Sequence, residues 1–411
     1  MYDIVVFGAT GYTGRLCASF IAQNYPTTVQ WGIAGRSETK LKDLAKELQR
    51  DFPDRVQPET ELVELDIESL TPLVSKSKVV INGVGPFHRF STPIVEACAR
   101  LGVHYVDFTT ETLWIKGLIE KYEDVARESG AILIPGISPT APADLIAWLI
   151  TKQIRDSFST GPSEVIATGK LDIKAMSAGS LTTVLDSLAT YGPSWYLSGN
   201  PWILSPSSQK PKSTPSPPLL TRLFGYRSAP GLGGLSTSFT GPGNSSIVHR
   251  SASQNPNLYG PTFHYSEYLP AASITSAFLI HLVTKLAVLM ISIPLIRGLL
   301  RRKLVPSDNA AVPDQEELRR LERAEYCAVG RVETYGEKPV ARALFVREGA
   351  LYEFTALLTC AGARVLLNEE RGEERRGKGG FFTPSLLGME YVEGLRDGGV
   401  RIEVQDLTVD V

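Results

Sequence analysis

The sequence predicts an α/β chain: a doubly wound parallel sheet over residues 1–150, followed by a second, mixed α+β domain over residues 151–411. Three observations predict it. Strand and helix signals alternate through the first 150 residues with short connections. The first strand runs directly into three glycines spaced G-x-x-G-x-x-G. And at 411 residues the chain is long for a single hydrophobic core, with a change of pattern near residue 150.

The opening run is Ile4-Val5-Val6-Phe7-Gly8-Ala9-Thr10-Gly11-Tyr12-Thr13-Gly14, with a helical stretch from Arg15 to Gln23. Gly8 permits a sharp turn, Gly11 removes a side chain where a pyrophosphate approaches the backbone, and Gly14 lets the helix pack close to the strand. With Thr10, Tyr12 and Thr13 between them, these residues read as a dinucleotide cradle of the Rossmann kind, the phosphates facing the helix N-terminus. The next strand, Val29 to Ala34, ends in Gly35-Arg36-Ser37. An acidic residue there would bind a free ribose hydroxyl, whereas Arg36 beside Ser37 suits a 2′-phosphate, so the expected cofactor is NADP(H). The plainer alternative is a tight turn carrying a solvated arginine.

The remaining elements of the first domain follow in order. Glu38 to Arg50 is a charged helix, and Glu61 to Leu65 a short strand ending at Asp66. Asp66 is placed either to contact the adenine or to cap the helix starting near Ser69. Ser77 to Asn82 is the fourth strand, followed by Asn82-Gly83-Val84-Gly85-Pro86-Phe87. Ligands of open parallel sheets bind at the carboxyl ends of the strands, so Asn82, Gly83 and Gly85 are expected along the middle and nicotinamide end of the cofactor; a plain loop is the alternative. Pro93 to Leu101 is a helix, Val103 to Val106 the fifth strand, Glu111 to Ser129 a long helix and Ala131 to Ile134 the sixth strand.

Beyond residue 150 the signals read as a strand over Val165 to Ile173, a helix over Leu181 to Ala189, a Ser/Pro-rich insertion near 205–218 and a short strand at Ile247-Val248-His249-Arg250. Residues 326–359 read as two or three strands, including Ala341 to Val346. An antiparallel sheet is therefore expected, lying over the nicotinamide and supplying the substrate pocket. An apolar stretch, Ala271 to Leu300, ends in Arg297, Arg301, Arg302 and Lys303. Lys285 and Pro294 interrupt it, so an in-plane membrane helix or an apolar surface helix fits better than a span, and a core or dimer helix is the alternative. His281, Lys285 and Ser292 fall on one stripe of that helix.

The bulk composition is that of an ordinary globular protein, 43% hydrophobic and 21% charged, and the net charge of −2 exerts no global pull towards nucleic acid. Cys17, Cys98, Cys327 and Cys360 are scattered, without C-x-x-C or metal spacing, which points to a reducing compartment and no metal site. The chain starts on a core strand, so no signal peptide is expected, and the sequon Asn244-Ser245-Ser246 reads as a chance match. The expected location is the cytoplasmic side, soluble or peripheral on an intracellular membrane or lipid droplet.

The motifs Gly8 to Gly14, Ile33-Ala34-Gly35-Arg36-Ser37 and Asn82 to Phe87 resemble those of the saccharopine dehydrogenase-like oxidoreductases, a group that includes trans-acting enoyl reductases. The likeness continues through Tyr105-Val106-Asp107, Pro142-Ala143-Asp144-Leu145 and Thr383-Pro384-Ser385-Leu386-Leu387-Gly388. Two places depart from the pattern. A Gly-Glu pair usually follows the Asp of the fifth strand, where this chain has Asp107-Phe108-Thr109-Thr110-Glu111. Phe-Asp-Ser usually precedes the Pro-x-Asp, where it has Ile137-Ser138-Pro139-Thr140-Ala141-Pro142-Ala143-Asp144. The resemblance implies an NADP-dependent reductase acting on an enoyl or other apolar secondary-metabolite substrate, free or thioester-bound, while the apolar stretch 271–300 offers a membrane surface or a homodimer as a further partner. The alternative is a membrane-associated nucleotide-binding protein without turnover.

No catalytic residue stands out. His88, Tyr105 and Lys174, the last beside Ser177-Ala178-Gly179-Ser180, are candidate proton donors, and each has an ordinary structural role as its alternative. No Tyr-x-x-x-Lys pair occurs, which argues against a short-chain dehydrogenase site.

Overall fold

The computed structural model describes residues 1–174, 176–206, 219–304, 315–368 and 377–407. The chain begins β1 (Tyr2–Phe7), α1 (Tyr12–Asn24), β2 (Trp31–Gly35), α2 (Glu38–Asp51), β3 (Glu59–Leu62), α3 (Ile67–Val74), β4 (Ser77–Asn82), α4 (Phe87–Phe90), α5 (Thr92–Leu101), β5 (His104–Asp107), α6 (Thr112–Ser129), β6 (Ile132–Ile134) and α7 (Ile137–Phe158). It continues through β7 (Glu164–Asp172), α8 (Ala178–Tyr191), α9 (Ser194–Ser198), α10 (Leu219–Phe224), β8 (Arg227–Ala229), β9 (Gly233–Thr237), α11 (Gly241–Gln254), α12 (Pro256–Tyr259) and β10 (His264–Pro270). The last part holds α13 (Ile274–Ser292), α14 (Pro294–Leu304), α15 (Gln315–Leu321), β11 (Arg323–Arg331), β12 (Ala341–Glu348), α16 (Leu351–Leu367), β13 (Gly380–Phe381), α17 (Gly388–Asp397) and β14 (Arg401–Asp406).

These elements pack into two compact units, neither of them continuous in sequence. The first comprises Met1–Pro139 and Ala350–Gly398, the second Thr140–Gly349 and Gly399–Val411. A single boundary at 150 therefore does not describe the packing: residues 350–398 return to the first unit.

The first unit is an all-parallel sheet in the order β13-β6-β5-β4-β1-β2-β3. Its central strands are apolar on both faces, with Val5, Val6, Ile33, Val80, Ile81 and Val106 all fully buried, as expected when helices cover a parallel sheet. The order reverses between β1 and β4, the crevice where such sheets bind ligands. Register brings the strand ends level there: Phe7 pairs with Ala34 and Asn82, and Asn82 pairs with Asp107. Helix α16 packs along α1, and the Tyr25 hydroxyl donates to the Cys360 carbonyl at 2.5 Å. All four cysteines are buried free thiols.

The second unit holds a seven-stranded sheet in the order β14-β12-β11-β7-β10-β9-β8. It is mixed rather than antiparallel, because β7 and β10 run parallel while the remaining neighbours are antiparallel. Helix α11 lies against β10, and α13 against β9.

Three further sequence-based expectations change. Ile247 to Arg250 belongs to α11, not to a strand. The region 326–359 supplies β11 and β12, but from Leu351 onward it is helix α16. The apolar stretch is two helices, α13 and α14, parted at Ile293-Pro294. Residues 207–218 of the Ser/Pro-rich insertion lie outside the described residues.

Candidate functional site

The glycine motif turns at the carboxyl end of β1. Gly8 adopts φ +69°, and a Cβ there would lie 2.7 Å from the Gly83 carbonyl carbon, so the β1 turn and the loop after β4 touch backbone to backbone. A Cβ on Gly14 would sit 2.2 Å from the Gly8 oxygen, which makes glycine the residue that lets α1 start against the strand end. Gly11 differs. Its added Cβ would approach only the Gly8 oxygen, at 3.3 Å, so the protein itself leaves room there. Gly11 is the N-cap of α1, and no side chain caps the helix. The backbone N–H groups of Thr13 and Gly14 thus open the helix dipole towards an anion, with Thr10 and Tyr12 on either side of Gly11. The Tyr12 ring packs edge-on against Tyr352 of α16 at 5.0 Å.

Arg36 follows β2 directly and is exposed; among the described residues its side chain has no hydrogen-bond or ion-pair partner. Its neighbour Ser37 caps α2, accepting from the Lys40 N–H, and Glu38 is occupied by Lys42 at 2.5 Å. A cationic fork therefore stands at the end of β2, where the adenosine ribose of a dinucleotide lies. Asp66 caps α3: its carboxylate accepts from the Ser69 N–H and hydroxyl, both at 2.9 Å, and these bonds hold its pKa below the ordinary value. Its capping role is thus occupied in the chain itself.

The loop after β4 is held by a buried polar network. The Asn82 amide donates to Ser91 Oγ at 2.8 Å and to the Tyr105 hydroxyl at 2.9 Å, and its oxygen accepts from the Val84 N–H. Ser91 Oγ donates to the Val84 carbonyl, closing the loop on itself. Gly83 leaves space for Phe108, whose ring a Cβ would meet at 3.0 Å, and Gly85 opens the turn into α4. The Tyr105 hydroxyl donates to Asp107 at 2.6 Å, and Asp107 also accepts from the N–H groups of Gly136 and Thr109. Burial pushes the Asp107 carboxyl up to about 7, against the pull of these three donors, and pushes the Tyr105 phenol well above its ordinary value. Tyr105 is thus a fully buried, proton-retaining member of the framework.

Glu111 is the residue that sequence reasoning passed over. It is 1% exposed, and its two oxygens accept from the N–H groups of Phe87 and His88, both at 2.9 Å. It also pairs with His88 Nδ1 at 2.6 Å. One carboxylate therefore caps α4 and orients the imidazole that follows the Gly-Pro turn. The available signal was the position: a glutamate four residues after the strand-end Asp107. Lys174, the third candidate donor, is exposed in the second unit, its backbone N–H bonded to Glu322 at 2.8 Å. Among the described residues no cluster of His, Cys, Asp and Glu could hold a metal.

The strand-end cradle fits a dinucleotide phosphate: a glycine-lined turn, an uncapped helix N-terminus and a cation at the ribose end. Comparisons with known proteins agree. Residues 4–134 match the saccharopine dehydrogenase NADP binding domain. The trans-acting enoyl reductase of Mycobacterium ulcerans is 30% identical over 296 residues, covering 67% of this chain and 68% of that protein. A protein of Mycobacterium tuberculosis strain H37Rv, provisionally named a trans-acting enoyl reductase, is 26% identical and covers 99% of this chain and 98% of its own length. The solved saccharopine dehydrogenase (L-Glu forming) of Saccharomyces cerevisiae shares the fold across 98% of this chain and 99% of its own, with a TM-score of 0.53 at 11% identity. The chain therefore belongs to the saccharopine dehydrogenase-like family together with the trans-acting enoyl reductases, and it is an NADP-dependent oxidoreductase.

Proposed function

We propose that this chain reduces the carbon–carbon double bond of an apolar enoyl substrate carried as a thioester. The observation that carries the reading is the His88–Glu111 pair, nine-tenths buried in the loop that abuts the Gly8 turn. The relatives named for enoyl reduction support the substrate class.

Bound NADPH supplies the hydride. Gly8, Thr10, Gly11, Tyr12, Thr13 and Gly14 would hold its pyrophosphate at the α1 N-terminus, Arg36 and Ser37 would take its 2′-phosphate, and Asn82, Gly83 and Gly85 would shape the wall beside its nicotinamide end; Asp66 keeps the α3 start in place. Reduction of an unsaturated thioester at its β-carbon would call for a proton at the α-carbon. His88 delivers that proton, with Glu111 fixing the orientation of the ring. Tyr105 and Asp107 position the loop and take no part in the transfer.

NADPH oxidation with α,β-unsaturated acyl thioesters of increasing chain length tests the reading. His88→Gln is expected to lower kcat by about 10²–10⁴ while leaving NADPH binding unchanged. No thioester-dependent oxidation by the wild type, or full activity of the variant, would overturn it. In cofactor titrations Arg36→Ala is expected to weaken NADPH by about 1–3 kcal/mol and NADH far less. Gly11→Val should abolish binding of either cofactor with the fold intact, because its side chain enters the pyrophosphate space.

A further inference from the structure

Helix α13 is amphipathic in reverse. Ala277, His281, Lys285, Val288 and Ser292 lie on one face. That face is the one docked on the protein: Ser236 Oγ donates to the Ala277 carbonyl at 2.7 Å, Thr237 Oγ1 bonds His281 Nδ1 at 2.7 Å, and Lys285 Nζ donates to the Leu197 carbonyl at 2.6 Å. The polar stripe is thus spent on the second unit itself. The opposite face is apolar and bare, with Leu279, Val283 and Leu286 exposed by 53%, 63% and 49%. Helix α10 extends the patch: Phe224 lies 6.0 Å from Phe278, and Leu220 and Leu223 are exposed. Leu295 and Leu299 continue it along α14.

The charge around this surface is of one sign. The described residues between 187 and 304 hold eight Lys and Arg, of which Arg250 is buried and Arg227 is paired with Glu164, and a single acid, Glu267, in a chain whose overall charge is −2. Glu267 is buried in the sheet and takes hydrogen bonds from Asn244, Thr240, Tyr265 and Ser238, so it neutralises nothing at the surface. Arg222 on α10 and Arg302 and Lys303 on α14 are exposed. Arg301 is paired with Asp186, and Arg297 closes the end of α13 by donating to the Ser292 carbonyl at 3.2 Å.

We infer that α10, α13 and α14 form an in-plane docking surface for the anionic leaflet of a lipid bilayer, apolar side chains entering the acyl boundary and Arg222, Arg302 and Lys303 meeting the headgroups. Water is a poor solvent for so continuous an apolar face, and a bilayer interface accepts both the face and its cationic rim. A second copy fits less well, because a two-fold pairing would set two cationic rims together with no acid between them. A span does not fit: His281 and Lys285 bind the helix to β9 and to the residues before Gly199, and Pro294 ends it.

The test is flotation of the full chain with phosphatidylcholine vesicles, with and without phosphatidylglycerol. The chain is expected to float with the anionic vesicles, less in high salt but not to zero, and to be released by alkaline carbonate. Arg302→Glu with Lys303→Glu should lower partitioning onto anionic vesicles by about tenfold or more. Val283→Asp with Leu286→Asp should abolish it, while an unchanged NADPH titration shows the fold intact. No flotation, flotation indifferent to lipid charge, carbonate resistance, or a dimer that Val283→Asp and Leu286→Asp dissociate would each overturn the proposal. Flotation needs no turnover, so such a failure leaves the reductase reading where it stood.

Discussion

Helices α11 and α13 sit in the same unit and invert one another. Helix α11 reads Gly-Pro-Gly-Asn-Ser-Ser-Ile-Val-His-Arg-Ser-Ala-Ser-Gln, yet eleven of its residues are buried. Helix α13 is a run of Leu, Ile, Val and Phe in which only Ala277 and Val288 are buried. The difference teaches that a helix can be buried whatever its composition, provided each polar group meets a partner. Along α11 the histidine, the arginine, the asparagine and three of its serines each do. His249 Nδ1 donates to the Ser245 carbonyl at 2.7 Å while its Nε2 accepts from the Tyr265 N–H, so one neutral tautomer satisfies both sites. Ser251 donates to the Asp144 carboxylate, Arg250 to the Leu204 carbonyl at 2.6 Å, and Ser246 to the Pro242 carbonyl. Asn244 reaches Glu267 at 2.7 Å, which is why the apparent sequon is closed to modification in the folded chain. Helix α13 instead turns its large apolar side chains outward, Leu279, Val283 and Leu286 among them.

The contrast is broken most severely by taking a donor from α11. Asn244→Leu leaves the buried Glu267 carboxylate short of its 2.7 Å donor. A loss of about 3 kcal/mol is expected in urea unfolding, the range for a buried charge deprived of a partner. A variant as stable as the wild type would mean that α11 is buried for reasons other than its hydrogen bonds.

A smaller effect follows from His249. Burial lowers its pKa from 6.5 to about 3. The folded state therefore binds fewer protons than the unfolded state between these values. The stability this neutral histidine contributes is whole above pH 6.5 and drains away as pH falls, by about 2 kcal/mol at pH 5. His249→Asn should flatten that part of the stability-against-pH curve, and an unchanged slope would show that other groups carry it.

The smallest effect is expected on α13. Val283→Ser in detergent-free, lipid-free buffer should shift the unfolding midpoint by no more than about 0.5 kcal/mol, since the side chain is already exposed. A loss of several kcal/mol would reveal a partner, such as a second copy, already covering the helix.

The same contrast explains what the sequence made legible. In the first unit the buried strands from β1 to β6 carry short apolar hearts; the sequence signal for Ser77 to Asn82 matches β4 to the residue, and the other ends from β1 to β6 agree within about three. The sites at the strand ends followed, because the glycines of the β1 turn and Arg36 are local signals. Helix α16 was hidden since its buried face runs almost all round, from Phe354 to Leu366, and an all-round apolar run has no period to betray it. Ile247 and Val248 looked like a strand because burial in α11 rests on partners far away in sequence, Tyr265 and Asp144 among them. Strand β13 is two residues long and carries no pattern at all. The polar stripe of α13 was visible, but which way it faced was not: Thr237 and Leu197 decide that, and spacing says nothing of them.

The return of residues 350–398 to the first unit has a consequence for the order of events on the ribosome. Gly380 donates to the Ala131 carbonyl and Phe382 to the Leu133 carbonyl, both at 2.8 Å, covering the outer edge of β6, and α16 covers α1. The nascent nucleotide-binding sheet therefore emerges with one edge open and one helix face wet, and stays so until some 200 residues of the other unit have been made. A message cut short within the second unit yields a sheet that retains every glycine of its cradle and yet offers a bare β6 edge to any neighbouring chain.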